Sequence, residues 1–463
     1  MTNTTIIQGS RRLVQHKLQC TFQRRAYWAS QTLVGDSSAR LLEAIRQALP
    51  AVPEVVVPGT YRPPILFCIS KHIPSSGLAE LVEAFQDLLP AYEPIGCLSD
   101  VLGLGSNSYS VALARWSNEQ LDGHRVISFR SSLASRSSIT VGREIFPEQQ
   151  RSKKDEELGR ALDSNFHLSF KDDPSKWEEL WSENNRRGEI PDELQSIPPA
   201  EVKALIFFTA SGPQPLLEGL QTAFPSAALL GLIAASTPFE TGRPCTLFRD
   251  GWIGNDGAVG VALVNKAAST PVARPKAYYH GLEALSKAMR VTAARGNIIL
   301  TLDEKNAAQA LMASIIKSSR SKSARSLPFQ KEDDVFVAFY ADEPQQQSDC
   351  ATLNPEHLME ICKIVGGAPS RGALGINRTD HIPIGQWVQF ARRESPPQHK
   401  PRVLDGQFEF ACALNSGMGR NSLLVGPGRL KETFVAASEH GFVVNPRKGR
   451  AMIVSVGSAR AVL

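Results

Sequence analysis

The chain has 463 residues, 42% hydrophobic and 21% charged, so it has enough apolar material for two or three folded domains. Its formal net charge of +5 is small for this length, which argues against a nucleic-acid partner. The longest apolar run, 227–235, is far shorter than the roughly 20 residues that span a bilayer, so no transmembrane segment is expected. The seven cysteines are scattered without a CxxC spacing, and we expect reduced thiols packed as small hydrophobes.

Residues 1–35 resemble a mitochondrial presequence. They contain five Arg or Lys residues and no Asp or Glu, and 25–27 resembles a processing site. A secretory signal needs an apolar core of about 7–15 residues, and this segment has none. We therefore predict import into the mitochondrial matrix, and a basic tail on a cytoplasmic protein is the alternative.

Two parts of the chain repeat one order of elements. Each copy has an apolar strand, an amphipathic helix, a second apolar segment with a glycine and a closing strand: 65–70, 78–89, 94–97 and 109–114, then 205–210, 216–224, 229–232 and 258–264. This order indicates an internal duplication, with repeat one at 62–116 and repeat two at 203–265. In the second copy, Gly254 to Gly257 is predicted to form a type I′ hairpin around Asp-Gly.

The predicted fold class follows from these repeats. The apolar strands show little alternation, which is typical of strands buried on both faces. We therefore predict an α/β (α+β) fold in which the two strand–helix–strand repeats form mixed β-sheets covered by helices.

The remaining segments divide the chain further. Residues 131–199 are rich in Ser and charge and are predicted to be a surface insertion with a short helix from Pro174 to Trp181. The Ser- and base-rich stretch 317–334 is predicted to be a linker. The region after it, 335–463, is predicted to be a smaller α/β domain with strands at 335–340, 386–390, 408–414 and 452–456 and a helix at 355–365.

One stretch carries a family resemblance. Residues 291–303, VTAARGNIILTLD, followed by AAQAL at 307–311, resemble the end of the FIST N-terminal domain. The unit from 205 to 264 is similar to the same domain upstream, so the resemblance covers roughly 55–316. Residues 384–390, Gly419-Arg420 and Gly441-Phe442 are similar to a FIST C-terminal domain, although Asn445-Pro446-Arg447 stands where that domain has Gly-Glu.

The resemblance implies a sensory module that binds a small ligand such as an amino acid or a related metabolite. In eukaryotes this module is sometimes joined to an F-box, and no F-box is recognisable in this sequence. A non-enzymatic ligand sensor with room for a protein partner is therefore the first hypothesis. An enzyme acting on a small acyl or amino-acid metabolite, and an interaction scaffold or ubiquitin-ligase adaptor without its own F-box, are the alternatives.

Motifs for catalysis are few. The nine histidines show no HxxxH, HxH or HExxH spacing, there is no G-x-S-x-G, and we predict no catalytic residue, metal or cofactor. Glycine permits close approach of a ligand beyond strand ends, hydroxyls can donate, and arginine can pair with a carboxylate. The predicted ligand-binding residues are Gly96, Cys97, Gly231, Ser236, Thr237 and Arg420. For each residue alone, tight strand–helix packing is the alternative explanation.

Overall fold

The computed structural model describes residues 28–35, 37–48, 62–74, 77–78, 80–82, 92–100, 109–116, 124–132, 190–265, 274–279, 282–321, 335–344, 353, 358–368, 372–378, 381–393, 408–413, 433–447, 450–457 and 459–463. Within these residues the protein is mostly β, with several mixed sheets and few helices. The predicted α/β class is therefore wrong. The apolar runs are buried on both faces because sheets pack against other sheets, and helices contribute only a small part of the cover.

The first sheet has six strands in the order β1-β4-β2-β3-β10-β11. Strands β2 and β3 are parallel, and every other neighbouring pair is antiparallel. The strands are β1 (Trp28–Gly35), β2 (Pro64–Ser70), β3 (Glu93–Ser99), β4 (Tyr109–Trp116), β10 (Leu247–Arg249) and β11 (Trp252–Gly254).

The second sheet repeats this plan in the order β5-β12-β6-β7-β24-β25. Here β6 and β7 are the parallel pair, and the other pairs are antiparallel. The strands are β5 (His124–Ser131), β6 (Val202–Thr209), β7 (Ala228–Ile233), β12 (Ala258–Asn265), β24 (Phe442–Arg447) and β25 (Arg450–Val454). The two predicted copies thus lie in two sheets of identical strand order and polarity.

A third sheet shares the first four positions of this plan, where the sequence suggested only two copies. Its order is β13-β26-β22-β23, with β22 and β23 parallel. Its strands are β13 (Lys276–Tyr279), β22 (Phe408–Cys412), β23 (Phe434–Ser438) and β26 (Ala459–Val462). In sequence, the β10–β11 hairpin lies between β7 and β12 but extends the first sheet, and β24–β25 lies between β23 and β26 but extends the second. Each of these hairpins therefore fastens its own unit to the preceding one.

A fourth sheet closes on itself. Its antiparallel neighbours run β21-β15-β16-β20-β19-β18, and β18 pairs again with β21. Its strands are β14 (Leu282–Ala284), β15 (Met289–Arg295), β16 (Ile298–Leu302), β17 (Lys305–Asn306), β18 (Val335–Tyr340), β19 (Leu358–Ala368), β20 (Ala373–Ile376) and β21 (Trp387–Arg393). A separate two-stranded sheet consists of β8 (Ser236–Thr237) and β9 (Arg243–Cys245). Strands from both sides of 317–334 share this closed sheet.

The helices include α1 (Ser38–Ala48), α2 (Asp192–Gln195), α3 (Gln214–Ala223) and α4 (Ala307–Ser321). Helix α3 packs Leu216 and Leu220 on the outer face of the second sheet, and α4 packs on the closed sheet. The inner faces of the first three sheets share one core, in which the rings of Phe208 and Phe434 lie 6.2 Å apart. Among the described helices, none combines the length and apolar character needed to cross a membrane.

Two local predictions are wrong. Gly254 to Gly257 connects β11 in the first sheet to β12 in the second and makes no hairpin. The Asp-Gly turn of this region is instead Asp250-Gly251, with φ of 43° and 83°, between the paired residues Arg249 and Trp252. The helix predicted at 355–365 is also wrong, because residues 358–368 form β19, where pairing with β18 and β20 overrides the local pattern.

The first described strand, β1, overlaps the end of the predicted presequence, residues 1–35. Strand β1 pairs along its whole length with β4, and the Thr32 hydroxyl donates to Thr433 O (2.6 Å) and accepts from Val435 N (2.8 Å). Trp28 to Gly35, which we expected to lie in the presequence, thus belongs to the first sheet. Residues 1–27 and most of the insertion at 131–199 lie outside the described residues, so those predictions stay predictions.

Candidate functional site

The three parallel strand pairs end close together. In each pair the two strands point the same way, so their carboxyl ends meet at one edge, where ligands often bind in sheets that contain parallel strands. Backbone N–H groups join neighbouring units, from Ala235 to Leu98 O (3.0 Å), from Asp100 to Ala437 O (2.7 Å) and from Ile233 to Gly441 O (3.1 Å). The ends of β3, β7 and β23 therefore form a common centre.

Glu439 connects all three units at this centre. Its Oε1 accepts hydrogen bonds from Lys71 Nζ (2.8 Å) and from the backbone N–H of Ser236 (2.9 Å). Lys71 follows β2, Ser236 begins β8 just beyond β7, and Glu439 follows β23. The side chains of Lys71 and Glu439 are only 12% and 16% exposed. We call these three residues, together with Asp100, the Glu439 centre.

The second carboxylate oxygen of Glu439 differs from the first in its hydrogen bonding. Glu439 Oε2 is buried, and within the described part of the chain it has no hydrogen-bond partner. A buried acceptor without a partner costs about 1–3 kcal/mol, and such atoms in native proteins often meet a water, an ion or a ligand. The centre therefore presents one free acceptor at the point where three sheets meet.

The charge state of Glu439 follows from its contacts. Burial alone would raise its pKa, but the hydrogen bonds from Lys71 Nζ, from its own backbone N–H and from Ser236 N–H together lower the pKa below its usual value. Glu439 is therefore a carboxylate at neutral pH. With Lys71 beside it, the pair carries no net charge and can accept a hydrogen bond from a neutral or cationic donor.

Further polar groups lie beside the centre. His72 Nε2 is 3.8 Å from Asp100 Oδ1. Burial raises the pKa of the Cys412 thiol to about 12; Arg393 lowers it, and Glu439 and Asp100 raise it. The Cys412 thiol is therefore protonated near neutral pH and is a poor nucleophile.

The predicted glycines are packing positions. Gly96 and Gly231 lie in the middle of β3 and β7, opposite Phe67 and Phe207 of the neighbouring parallel strands. A Cβ at Gly96 would overlap the Phe67 backbone oxygen and ring, and one at Gly231 would overlap the Phe207 ring. Each glycine leaves room for a phenylalanine of the neighbouring strand, which differs from the strand–helix packing given as the alternative, and a role in ligand binding for either glycine stays a prediction.

The other four predicted ligand-binding residues lie in different parts of the chain. Cys97 is in the common core with its Sγ 3.6 Å from Cys68 Sγ. Thr237 is fully buried, and its hydroxyl bonds to Thr246 Oγ1 (2.8 Å) and Arg243 O (3.1 Å). Among the predicted residues that the structure describes, Ser236 is the one that bonds to Glu439, through its backbone N–H. Arg420 lies outside the described residues.

The sequence reasoning missed Lys71, Asp100 and Glu439. A signal was available, because each follows directly on an apolar strand segment. Charged residues at that point lie at the carboxyl end of a strand, where buried backbone gives way to a possible site. The third strand pair was not recognised as a copy, and its charged residue was missed with it.

Within the described ranges, no three His, Cys, Asp or Glu side chains cluster in a way that could hold a metal ion. The described cysteines 68, 97, 245, 362 and 412 are buried, as the sequence suggested. Burial raises the pKa of Cys245 to about 12 and that of Cys68 well above its usual value.

Comparison with known proteins places the chain in a family. The family model of the FIST N domain matches residues 65–305, slightly more than half of the 463 residues. This range includes the first two sheets' parallel pairs and the β15–β16 hairpin that carries VTAARGNIILTLD. No curated protein matches the chain significantly. The match indicates a sensory, ligand-binding domain. The chain belongs to the FIST family.

Proposed function

We propose that this protein is a non-enzymatic sensor whose small ligand binds at the Glu439 centre. The observation that carries the proposal is the buried Glu439 Oε2, which has no partner in the described residues while Oε1 holds Lys71 and Ser236. A ligand that donates a hydrogen bond to Oε2 would remove the cost of leaving this acceptor unsatisfied. Binding would also add a contact at the point where the three units meet.

The expected ligand carries an amine or another strong donor. An ammonium group would form a charge-assisted hydrogen bond with the Glu439 carboxylate, which is stronger than a neutral one. Amino acids and related metabolites, which FIST resemblance implies as ligands, have such a group. The buried, protonated Cys412 beside the centre offers no nucleophile, which favours binding over catalysis.

Native mass spectrometry of gently purified protein, followed by calorimetric titration with an amino-acid and amine panel, tests this proposal. Glu439→Gln keeps the size of the side chain but removes its charge, and we expect the affinity for the ligand to fall about tenfold or more. Glu283→Gln is the matched control, because Glu283 is ion-paired with Arg392 and is equally buried, with 18% of its side chain exposed.

Three results would contradict the proposal. Equal loss of affinity in Glu439→Gln and Glu283→Gln would indicate a general effect on folding. Unchanged affinity in Glu439→Gln, with a ligand clearly bound, would place the site elsewhere. Turnover of the bound metabolite would favour the enzyme hypothesis instead.

We also propose that the protein acts in the mitochondrial matrix. Support comes from the acid-free, Arg-rich residues 1–27, which precede the first described strand. A fluorescent protein fused after residues 1–27 should be imported, and one carrying Ala at Arg11, Arg12, Arg24 and Arg25 should stay diffuse. Diffuse signal from the unmodified fusion would support the cytoplasmic alternative.

A further inference from the structure

The oxygen atom at which the ligand is proposed to bind is closed to solvent. Glu439 Oε2 is buried, and the Glu439 side chain as a whole is only 16% exposed. A ligand can therefore reach this atom only after a neighbouring part of the protein moves. Native proteins open locally where the fewest interactions hold their parts together, so the contacts between the three units indicate where this movement occurs.

Two of the three boundaries between units are crossed by paired strands. Strand β10, which belongs to the second unit in sequence, pairs with β3 of the first unit over Leu247–Arg249. Strand β24, which belongs to the third unit in sequence, pairs with β7 of the second unit over 442–444. Each hairpin makes a sheet continuous across its boundary, so separating these units would break several backbone hydrogen bonds at once.

The boundary between the first and third units is not crossed by a paired strand in the described part of the chain. One isolated bridge joins Asp100 to Ala437, and the backbone N–H of Asp100 donates to Ala437 O (2.7 Å). Along the edge of β23, the Thr32 hydroxyl takes the place of a neighbouring strand, because it donates to Thr433 O and accepts from Val435 N. This boundary therefore depends largely on side chains.

The ion pair of the Glu439 centre crosses the same boundary. Lys71 follows β2 of the first unit, and Glu439 follows β23 of the third, with Nζ and Oε1 2.8 Å apart. We call this ion pair, the isolated bridge and the two bonds of the Thr32 hydroxyl the first–third junction. The buried Glu439 Oε2 thus lies at the boundary that has the fewest backbone bonds among the described residues.

We propose that the first and third units separate at the first–third junction and so admit the ligand to Glu439 Oε2. This proposal rests on the ligand site at Glu439 proposed above. Separation breaks the bond from Lys71 Nζ, whereas the backbone N–H of Ser236, in the second unit, keeps its bond to Oε1. The strand pairing at the other two boundaries stays intact, so the change is a local opening and not unfolding of the whole chain.

Cys412 provides a probe of this opening. Its Sγ lies 4.0 Å from Glu439 O, and the residue is 1% exposed. The full-length protein is treated with iodoacetamide, a neutral reagent of the size of a small metabolite, and alkylation of each cysteine is followed by mass spectrometry. Cys362 is the internal reference, because it is similarly buried in the separate core of the closed sheet.

Thr32→Val keeps the shape of the side chain and removes both hydroxyl bonds of the junction. We expect alkylation of Cys412 to be about tenfold faster in this variant than in the unmodified protein, because the loss of two hydrogen bonds favours opening. The rate at Cys362 should not change. Thr209→Val is the matched control and should leave both rates unchanged, because Thr209 is as buried as Thr32 but bonds to Gly257 O (3.2 Å) inside the second unit.

Hydrogen exchange of the unmodified protein keeps the test informative if Thr32→Val fails to fold. The Val435 amide is bound across the first–third junction, to Thr32 Oγ1 (2.8 Å). The Ile233 amide is bound across the boundary of the second and third units, to Gly441 O (3.1 Å). After correction for intrinsic rates, we expect the Val435 amide to exchange about tenfold faster than the Ile233 amide.

Three outcomes would overturn the proposal. An unchanged rate at Cys412 in a folded Thr32→Val variant would mean that this junction does not control access. Equal acceleration at Cys412 and Cys362 would mean that the variant opens only by global unfolding. Equal protection of the Val435 and Ile233 amides would place the weakest boundary elsewhere. None of these measurements uses a ligand, so they can fail while titration still finds a ligand that depends on Glu439, and the titration can fail while they succeed.

Discussion

The two hairpins that fasten neighbouring units are held by different forces. Besides its backbone pairing with β3, the β10–β11 hairpin is attached by the charge of Arg249, which bonds to Glu93 Oε1 (2.8 Å) in the first sheet, to Ser128 Oγ (3.2 Å) in the second sheet and to Glu193 in α2. The β24–β25 hairpin is attached to the second sheet by Asn445, whose side chain accepts from Leu229 N (2.6 Å) and donates to Ala227 O (2.8 Å). One strand order therefore tolerates two kinds of attachment.

Burial explains the difference. The Arg249 side chain is 20% exposed, so water and salt reach its ion pairs. Asn445 is 2% exposed and is flanked by the buried β24 residues Val443 and Val444. A buried amide bound on both sides cannot exchange its partners for water. The second attachment should therefore be the stronger and the less sensitive to solution conditions.

Asn445→Ala should have the largest effect. Removing the amide leaves a buried N–H at Leu229 and a buried C=O at Ala227 unsatisfied, and the free energy of unfolding should fall by about 2–5 kcal/mol. Denaturant unfolding measures this loss. Asn297→Ala is the control, because Asn297 is exposed and makes one side-chain bond, to Ile376 O (3.0 Å). Similar losses in both variants would contradict the role given to burial.

Gly231→Ala should have the next largest effect. The added methyl group would overlap the fully buried Phe207 ring, and Gly260 lies opposite Phe207 on the other neighbouring strand, β12. Overpacking of this kind costs about 1–3 kcal/mol. Gly366→Ala in β19 is the control, since a Cβ there meets nothing within 4 Å. If Gly231→Ala were as stable as Gly366→Ala, the second sheet would be less tightly packed than we describe.

The pairs of glycine and phenylalanine separate what the sequence predicts from what it does not. The shared order of elements revealed two units, because buried strands and an amphipathic helix leave a local pattern. It did not reveal that Gly231 leaves room for the Phe207 ring on the neighbouring strand, since this contact joins β6 and β7 in space. The third unit escaped because Ala436, not glycine, stands opposite Phe410 there.

The predicted fold class was wrong because strands pair with strands that are distant in sequence. Residues 358–368 contain an apolar spacing that suits a helix or a strand, and only their pairing with β18 and β20 decides between them. The closed sheet joins strands from 282–302 with strands from 335–393, and no local signal carries that closure. The charged residues of the Glu439 centre come from segments more than 350 residues apart, Lys71 and Glu439.

Arg249→Met should have a smaller effect, and one that depends on salt. Because its ion pairs are partly exposed, we expect a loss of about 0.5–1 kcal/mol in the free energy of unfolding at low ionic strength. The difference from the unmodified protein should shrink near 1 M NaCl, where the Debye length is about 3 Å. The loss in Asn445→Ala should not change with salt. A loss in Arg249→Met that is equally independent of salt would contradict the comparison of the two hairpins.

The ion pair of Glu439 should give the smallest effect, and this effect should be lost in acid. Its pKa is lowered in the folded protein, so the stability that it contributes is present above the unfolded pKa of about 4.3 and is lost as pH falls through the folded value. The difference in Tm between the unmodified protein and Glu439→Gln should therefore be constant from pH 5 to 7, on the order of a few degrees at most. It should shrink below about pH 4.3 as the carboxylate of the unmodified protein takes up a proton. A difference that persists in acid would mean that Glu439 links the three units by its shape and not by its charge.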